Sequence, residues 1–291
     1  MTVRFDDMGI VDPALEFSGG VAAIDMFTLN KAGWGIAELG FDIQLPEASD
    51  VALPGIFDAL CVVEVSSGPT VTATIDTQKM RWGANTDAIN RSSFTDYTGV
   101  ERYGVKFSRQ AVSLFGELGL TAIPTKLADE SNLLLWFAEI PETTLQTLGY
   151  YALYAYAAEL TEKATQGAQD SVLYTDWISV PASQIRWKRS MDEILQVNRP
   201  QVKAVEQRVY LALDETGVRV KAVTRIVRSS FRLHPKPPKT YTFGAKHPVL
   251  MWLTAPDSTL PFAVIATKSE AWLNPDAAVS FDDAAFSEAT R

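Results

Sequence analysis

Two histidines stand in the chain, and both precede proline, at His234-Pro235 and His247-Pro248. A residue before proline is held extended, and Pro235, Pro237 and Pro238 between them make the pair the flanks of one stiff loop. A metal site built on two imidazoles needs further ligands, and no spacing here supplies them. Loop histidines are the plainer reading. The PxxP match from Pro235 to Pro238 fits a polyproline ligand and also a rigid connector between strands. Nucleophilic chemistry fares no better: there is no GxSxG elbow, and the single cysteine, Cys61, sits in the apolar run Ala59 to Val65, where a small buried hydrophobe is expected. One cysteine also rules out an intrachain disulfide.

Phosphate-cradling loops are absent as well. Gly33-Trp34-Gly35 lacks the third glycine of a dinucleotide turn, and Gly35 to Gly40 is followed by Phe41 rather than Lys and Ser or Thr. Asn90-Arg91-Ser92 matches a glycosylation acceptor without a secretory context to give it meaning. A carboxylate pair for glycoside hydrolysis could be assembled from the many Asp and Glu beside the seven Trp, but no particular pair is indicated. The expectation is a protein with no catalytic, cofactor-binding or metal residues.

Charge is the most uneven feature. From Arg186 to His247 fourteen Lys and Arg stand against five Asp and Glu, so this segment carries +9 in a chain of net charge −9, and the remainder carries −18. Within VRVKAVTRIVRSSFR, Arg219 and Lys221 share one strand face, and Arg225, Arg228 and Arg232 continue the basic row with changes of phase. These five residues are the candidate contact to an anionic surface or partner. The competing reading is a solvated strand face paired with acidic neighbours of the same chain. The overall negative charge argues against a surface devoted to nucleic acid, and no sequence-specific nucleic-acid binding is expected.

The elements that would position these residues are mostly strands. Gln207 to Trp272 is a run of short segments, RVYLAL, VRVKAVTRIV, SSFRL, TYTF, VLMWL and FAVIATKSEAW, parted by Pro, Gly, Asp and Ser. Phe57 to Asp76 reads as a hairpin about Ser-Ser-Gly-Pro, Asn132 to Pro141 as a buried strand, and Ser171 to Lys188 as two strands around Pro181. The first sixty residues read as irregular strands with loops, and residues 77 to 103 as a long polar surface loop with at most a short edge strand. Short helices are expected at Ser108 to Leu118 and Met191 to Val197. Leu148 to Thr165 fits either period, and the tyrosine alternation favours a strand. The acidic tail after Trp272 reads as a surface arm or frayed end.

With no repeat, no linker and no parallel α/β pattern, the fold class expected is all-β: a jelly-roll barrel or sandwich core with an additional β-rich domain or insertion and a few short helices. Residues 1–291 form one continuous unit, with any inserted second β domain within 77–190. The N-terminus shows no secretory signal, and the most apolar stretch, Leu148 to Ala158, is eleven residues against roughly twenty for a membrane span, so a soluble cytoplasmic product is expected.

By its 32.0 kDa size, strand density, and lack of signal and catalytic motif, the whole chain resembles the vertical single β-barrel major capsid proteins of tailless icosahedral viruses with an internal membrane, which infect thermophilic bacteria and halophilic archaea. The resemblance implies a structural coat protein in the virion capsid. Its partners would be itself, a second, smaller coat protein and the internal lipid membrane, with no cofactor. The alternative is a carbohydrate- or receptor-binding β-sandwich of a phage spike or tail, using Trp34, Trp82 or Trp187.

Overall fold

The computed structural model describes residues 12–38, 56–65, 71–77, 80–127, 132–166, 175–190, 202–219 and 239–279. The strands are β1 (Val21–Asp25), then, after helix α1 (Met26–Glu38), β2 (Ile56–Val65), β3 (Val71–Thr77), β4 (Arg81–Trp82), β5 (Ile89–Thr95), β6 (Glu101–Ser108), β7 (Ser113–Phe115), β8 (Leu120–Lys126) and β9 (Asn132–Glu139). The short helix α2 (Glu142–Leu145) and the long α3 (Tyr150–Gln166) follow. Then come β10 (Trp177–Pro181), β11 (Ser183–Ser190), β12 (Val202–Asp214), β13 (Gly217–Arg219), β14 (Thr240–Thr242), β15 (Val249–Thr254) and β16 (Ala263–Thr267).

These strands make three sheets. Seven strands run β1-β16-β15-β9-β8, with β4 and β7 both paired to β8; four run β14-β10-β6-β5; five form the order β11-β12-β2-β3 with β13 beside β12. Pairing is antiparallel throughout except between β10 and β14, which are parallel. The protein is thus β-rich with a few helices. The jelly-roll expectation is corrected, because two Greek keys of eight strands are not what three sheets of seven, four and five strands compose.

The core centres on β1, β15 and β16, which are buried at every residue. β1 packs on α3 and also on β11 and β12, so both of its faces are covered. A strand covered on both faces has no reason to alternate apolar with polar, which is why VAAI and VLMWL are continuous apolar runs. Trp136 of β9 and Trp252 of β15 are register partners, and their rings stack 6.0 Å apart at 5°. Each indole needs a partner for its N–H when buried: Trp136 donates to Thr254 Oγ1 at 2.9 Å, and Trp252 donates to Thr161 Oγ1 of α3 at 2.8 Å.

Several local expectations change. Leu148 to Thr165 is helix, not strand: α3 buries Tyr150, Tyr151, Leu153, Tyr154, Ala157, Leu160, Thr161 and Ala164, a three-to-four spacing along one face. Its first turn is held by Asp12, whose Oδ1 and Oδ2 accept from the Tyr151 and Ala152 N–H groups at 2.9 Å each. Ser108 to Leu118 is not a helix but two single 3₁₀ turns, Arg109–Ala111 and Gly116–Leu118, around β7. Gly119 at φ +58 turns the chain there into β8. Residues 80–103 hold β4, a 3₁₀ turn at Thr86–Ala88, β5 and the start of β6. β5 is the edge of its sheet, so its polar residues face water and disguise a strand as a loop. Within the first sixty residues, MFTLN begins α1 directly after β1, capped by Asp25. The antiparallel strands β2 and β3, the buried β9, and the two successive strands β10 and β11 on either side of Ala182, which belong to different sheets, lie where the sequence puts strands; the turn between β2 and β3 lies outside the described residues. Met191 to Val197 and the tail from 280 lie outside the described residues.

Candidate functional site

Of the five basic candidates, Arg219 is the last residue of β13, paired with Ala212 of β12. Lys221, Arg225, Arg228 and Arg232 lie outside the described residues, as does His234. The two ends of this segment, however, are well fixed. On one side of β13, Val218 pairs with Leu213; on the other, Val218 N–H donates to the Met80 carbonyl at 3.2 Å and Met80 N–H donates back at 2.9 Å. Val218 is wholly buried, and the turn before it is closed by Asp214 Oδ1, which accepts from Thr216 N–H at 2.6 Å. The indole of Trp82 donates to the Asp214 carbonyl at 3.1 Å and ties β4 to the same turn.

The far end is held in a different sheet. The Lys239 carbonyl accepts from Asp176 N–H at 2.9 Å, from Trp177 N–H at 3.2 Å and from Thr175 Oγ1 at 2.9 Å, and Lys239 N–H donates to Asp176 Oδ2 at 3.1 Å. β14 then runs alongside β10. Residues 220–238 therefore leave the five-stranded sheet at one anchored point and rejoin the four-stranded sheet at another. In sequence they contain five Lys and Arg and no Asp or Glu.

Other members of the basic segment are paired within the chain. Lys188 Nζ lies 2.6 Å from Glu206 Oε2, and Arg208 Nε lies 2.6 Å from Glu206 Oε1. Burial works to raise the Glu206 carboxyl, but these two cations hold it below its ordinary value. Arg189 lies 3.2 Å from Glu16 and over the Tyr150 ring at 4.5 Å. For β11 and β12, then, the self-paired strand face is the arrangement present.

Beneath β12 is a polar junction that the sequence did not single out. Asp25 closes β1 and is wholly buried, and its Oδ1 accepts from the Phe27 and Thr28 N–H groups at 2.9 and 3.1 Å, which caps α1. Gln207, in the middle of β12, accepts from Asp25 N–H at 2.8 Å through Oε1 and donates to the Asp25 carbonyl at 2.7 Å through Nε2. Asp25 Oδ2 and the Tyr154 hydroxyl of α3 are both buried and meet no hydrogen-bond partner among the described residues. Desolvation pushes the Asp25 carboxyl up to about 7, against the opposing pull of the Thr28 and Phe27 bonds. The Tyr154 hydroxyl is pushed up by burial and by the nearby Asp25 charge, so it stays protonated. A lone Asp between the apolar runs VAAI and MFTL was the available signal for a cap; its partnership with Gln207 had none.

The remaining candidates disperse. His247 is exposed, and Asn90 is exposed on β5. Trp82 and Trp187 are core residues, at 6% and 2% exposure, with Trp82 edge-on to Phe107 at 4.8 Å and Trp187 against Tyr150. They offer no stacking surface to a sugar, which corrects that use of them; nothing is described of the Trp34 side chain. Cys61 is the register partner of Gln207 on β2. No group of His, Cys, Asp and Glu among the described residues is arranged to hold a metal ion, and no helix among them is long and apolar enough to cross a membrane.

No family model and no curated protein matches the chain. Similar solved structures include the native thermophilic serpin Tengpin, at 13% identity and TM-score 0.40 over 65% of this chain and 52% of that one. A Manduca sexta serine protease inhibitor, serpin-12, matches at 12% identity and TM-score 0.37 over 68% and 55%. Thyroxine-binding globulin in complex with thyroxine matches at 13% and 0.37 over 65% and 53%. The chain spans about half the length of the structures it matches. These are serpins and a thyroxine-binding globulin rather than coat proteins or phage spikes. On that finding the capsid resemblance is corrected, and with it the shell partners, the second coat protein, the membrane contact, the virion location and the spike or tail alternative.

Proposed function

We propose that this chain is a non-catalytic protein that binds another protein through residues 219–238, and that its partner presents an acidic recognition pocket. The observation that supports the reading is the double anchoring: Val218 is clamped between β12 and Met80, and Lys239 is clamped to Thr175, Asp176 and Trp177. A segment fixed at both ends gives up less freedom on binding than a free tail of equal length. Arg219, Lys221, Arg225, Arg228 and Arg232 supply a positive charge with no acidic residue among them, which speeds encounter with an acidic surface and rejects basic ones.

Serine peptidases that cleave after Arg or Lys carry an aspartate at the base of the primary pocket, so they are partners of the right chemistry. The Manduca sexta protein is described as a serine protease inhibitor; for the present chain the support is charge and anchoring, not that likeness. The test is residual hydrolysis of a small Arg-containing chromogenic peptide by trypsin after incubation with excess chain, beside an elastase that lacks the acidic pocket. Loss of trypsin activity with elastase spared is expected, and reversing Arg225 and Arg228 to Glu should slow that loss by about tenfold or more. Full retention of trypsin activity would overturn the reading.

A further inference from the structure

Asp25 and Gln207 join two sheets through one buried side chain, and one oxygen of that junction meets no hydrogen-bond partner among the described residues. Oδ1 is occupied by the α1 N–H groups of Phe27 and Thr28, the backbone of Asp25 is occupied by Gln207, and Oδ2 is buried without a hydrogen-bond partner among the described residues. A carboxylate can be taken out of water cheaply only if both oxygens find donors; otherwise it binds a proton or finds water.

Among the described residues, the groups that face it offer no compensating charge. From α3 the facing titratable group is the Tyr154 hydroxyl, neutral because its own ionisation is suppressed. On β12, Glu206 and Arg208 flank Gln207 in sequence and are paired with each other. On β11, the register partner of Gln207 is Arg189, whose guanidinium meets Glu16 and the Tyr150 ring. On β2, the register partner of Gln207 is Cys61. From β16 the partner of Asp25 is Ala263, and on α1 Lys31 lies over the Phe27 ring.

We propose that Asp25 is a proton-operated latch between the seven-stranded and five-stranded sheets: with Oδ2 protonated the Asp25–Gln207 contact stays closed, and with Oδ2 ionised the contact opens to let water reach it. Opening is the least costly relief, because it gives up two hydrogen bonds rather than the core around β1, β15 and β16. The direction follows from linkage. The folded carboxyl binds its proton more tightly than the ordinary value of 3.8, with a folded value of about 7. Its contribution to the closed state is therefore full below about pH 4, declines as pH rises, and is gone above the folded value. The latch stands on the junction itself and does not depend on what residues 219–238 bind.

The test is hydrogen exchange of the whole chain, read by mass spectrometry at pH 5.5 and pH 8 and corrected for the chemical exchange rate, in fragments covering 21–28 and 202–212. In the wild type, protection of both fragments should fall by about tenfold or more at the higher pH, a unit of pKa being a factor of ten. Asp25→Asn keeps a cap and cannot ionise, and so does Asp25→Ser if the first variant folds poorly; either should show equal protection at the two pH values. Protection that does not change in the wild type would overturn the proposal. So would a change of the same size in both variants, or an equal change in a fragment covering 132–139, which would mark opening of the whole molecule.

Discussion

The side-chain amide of Gln207 hydrogen-bonds both the N–H and the carbonyl of Asp25, at 2.8 and 2.7 Å, as a neighbouring strand would. One side chain thus stands in for a rung of sheet between β12 and the end of β1. Gln207→Met keeps the volume and removes both partners, leaving a buried donor and a buried acceptor unmet. Each such group costs about 1–3 kcal/mol, so the variant should lose about 2–6 kcal/mol, measured as a fall in the urea midpoint at unchanged slope.

Asp96 and Arg102 make a second tie, of opposite pH sense. Asp96 Oδ2 accepts from Arg102 Nε at 2.8 Å, and its Oδ1 accepts from Thr98 N–H and Val100 N–H at 2.7 and 3.1 Å. Burial would raise this carboxyl, but the guanidinium and the turn N–H groups hold it below its ordinary value. Its contribution to stability is present above pH 3.8, the unfolded value, and is lost as pH falls through the lower folded value. Asp96→Asn should lower stability at pH 7 by about 1–3 kcal/mol and by progressively less in strong acid, as thermal melts at pH 7 and pH 3 would register.

Trp252 carries α3 onto β15 through its bond to Thr161 Oγ1. Thr161 also donates to the Ala157 carbonyl at 3.0 Å, so its hydroxyl accepts from the indole and donates along the helix at once. Thr161→Val removes the acceptor and leaves the buried indole N–H alone, for an expected loss of about 1–3 kcal/mol. A double cycle with Trp252→Phe should return part of that loss, since both partners are then apolar; strict additivity of the two changes would contradict the contact.

Gly244 has φ +87, and a Cβ there would lie 2.8 Å from the Trp272 ring and 3.4 Å from Phe94. Its N–H donates to Glu139 Oε1 at 3.2 Å. Left-handed backbone and a blocked side-chain direction act together at this turn, so Gly244→Ala should cost more than 1 kcal/mol, on the order of the usual penalty for either effect alone. The loss of tertiary order around Trp272 should be visible in near-ultraviolet circular dichroism.

How much of this was readable from the residues depends on distance along the chain. β9, β15 and the β2–β3 hairpin announce themselves through composition and turn chemistry that act locally. α3 did not: Tyr150, Ala152, Tyr154 and Tyr156 alternate as a strand would, and the cap that starts the helix comes from Asp12, 139 residues before Tyr151. β5 hid its strand character because edge position makes its outward residues polar. The Asp25–Gln207 junction spans 182 residues; either residue alone is only a polar interruption in an apolar run, and their meaning lies in the pairing.

β1 takes its only strand partner among the described residues from β16, with Val21 set against Thr267 and Asp25 against Ala263. During synthesis the first of these segments emerges while the other, roughly 240 residues later, is untranslated. At ~5–20 residues per second the apolar VAAI run therefore waits on the order of tens of seconds for its edge to be covered. Its exposure in a growing chain makes the newborn segment around β1 a natural client for chaperones, and makes β16 the strand whose arrival joins β1 to β15.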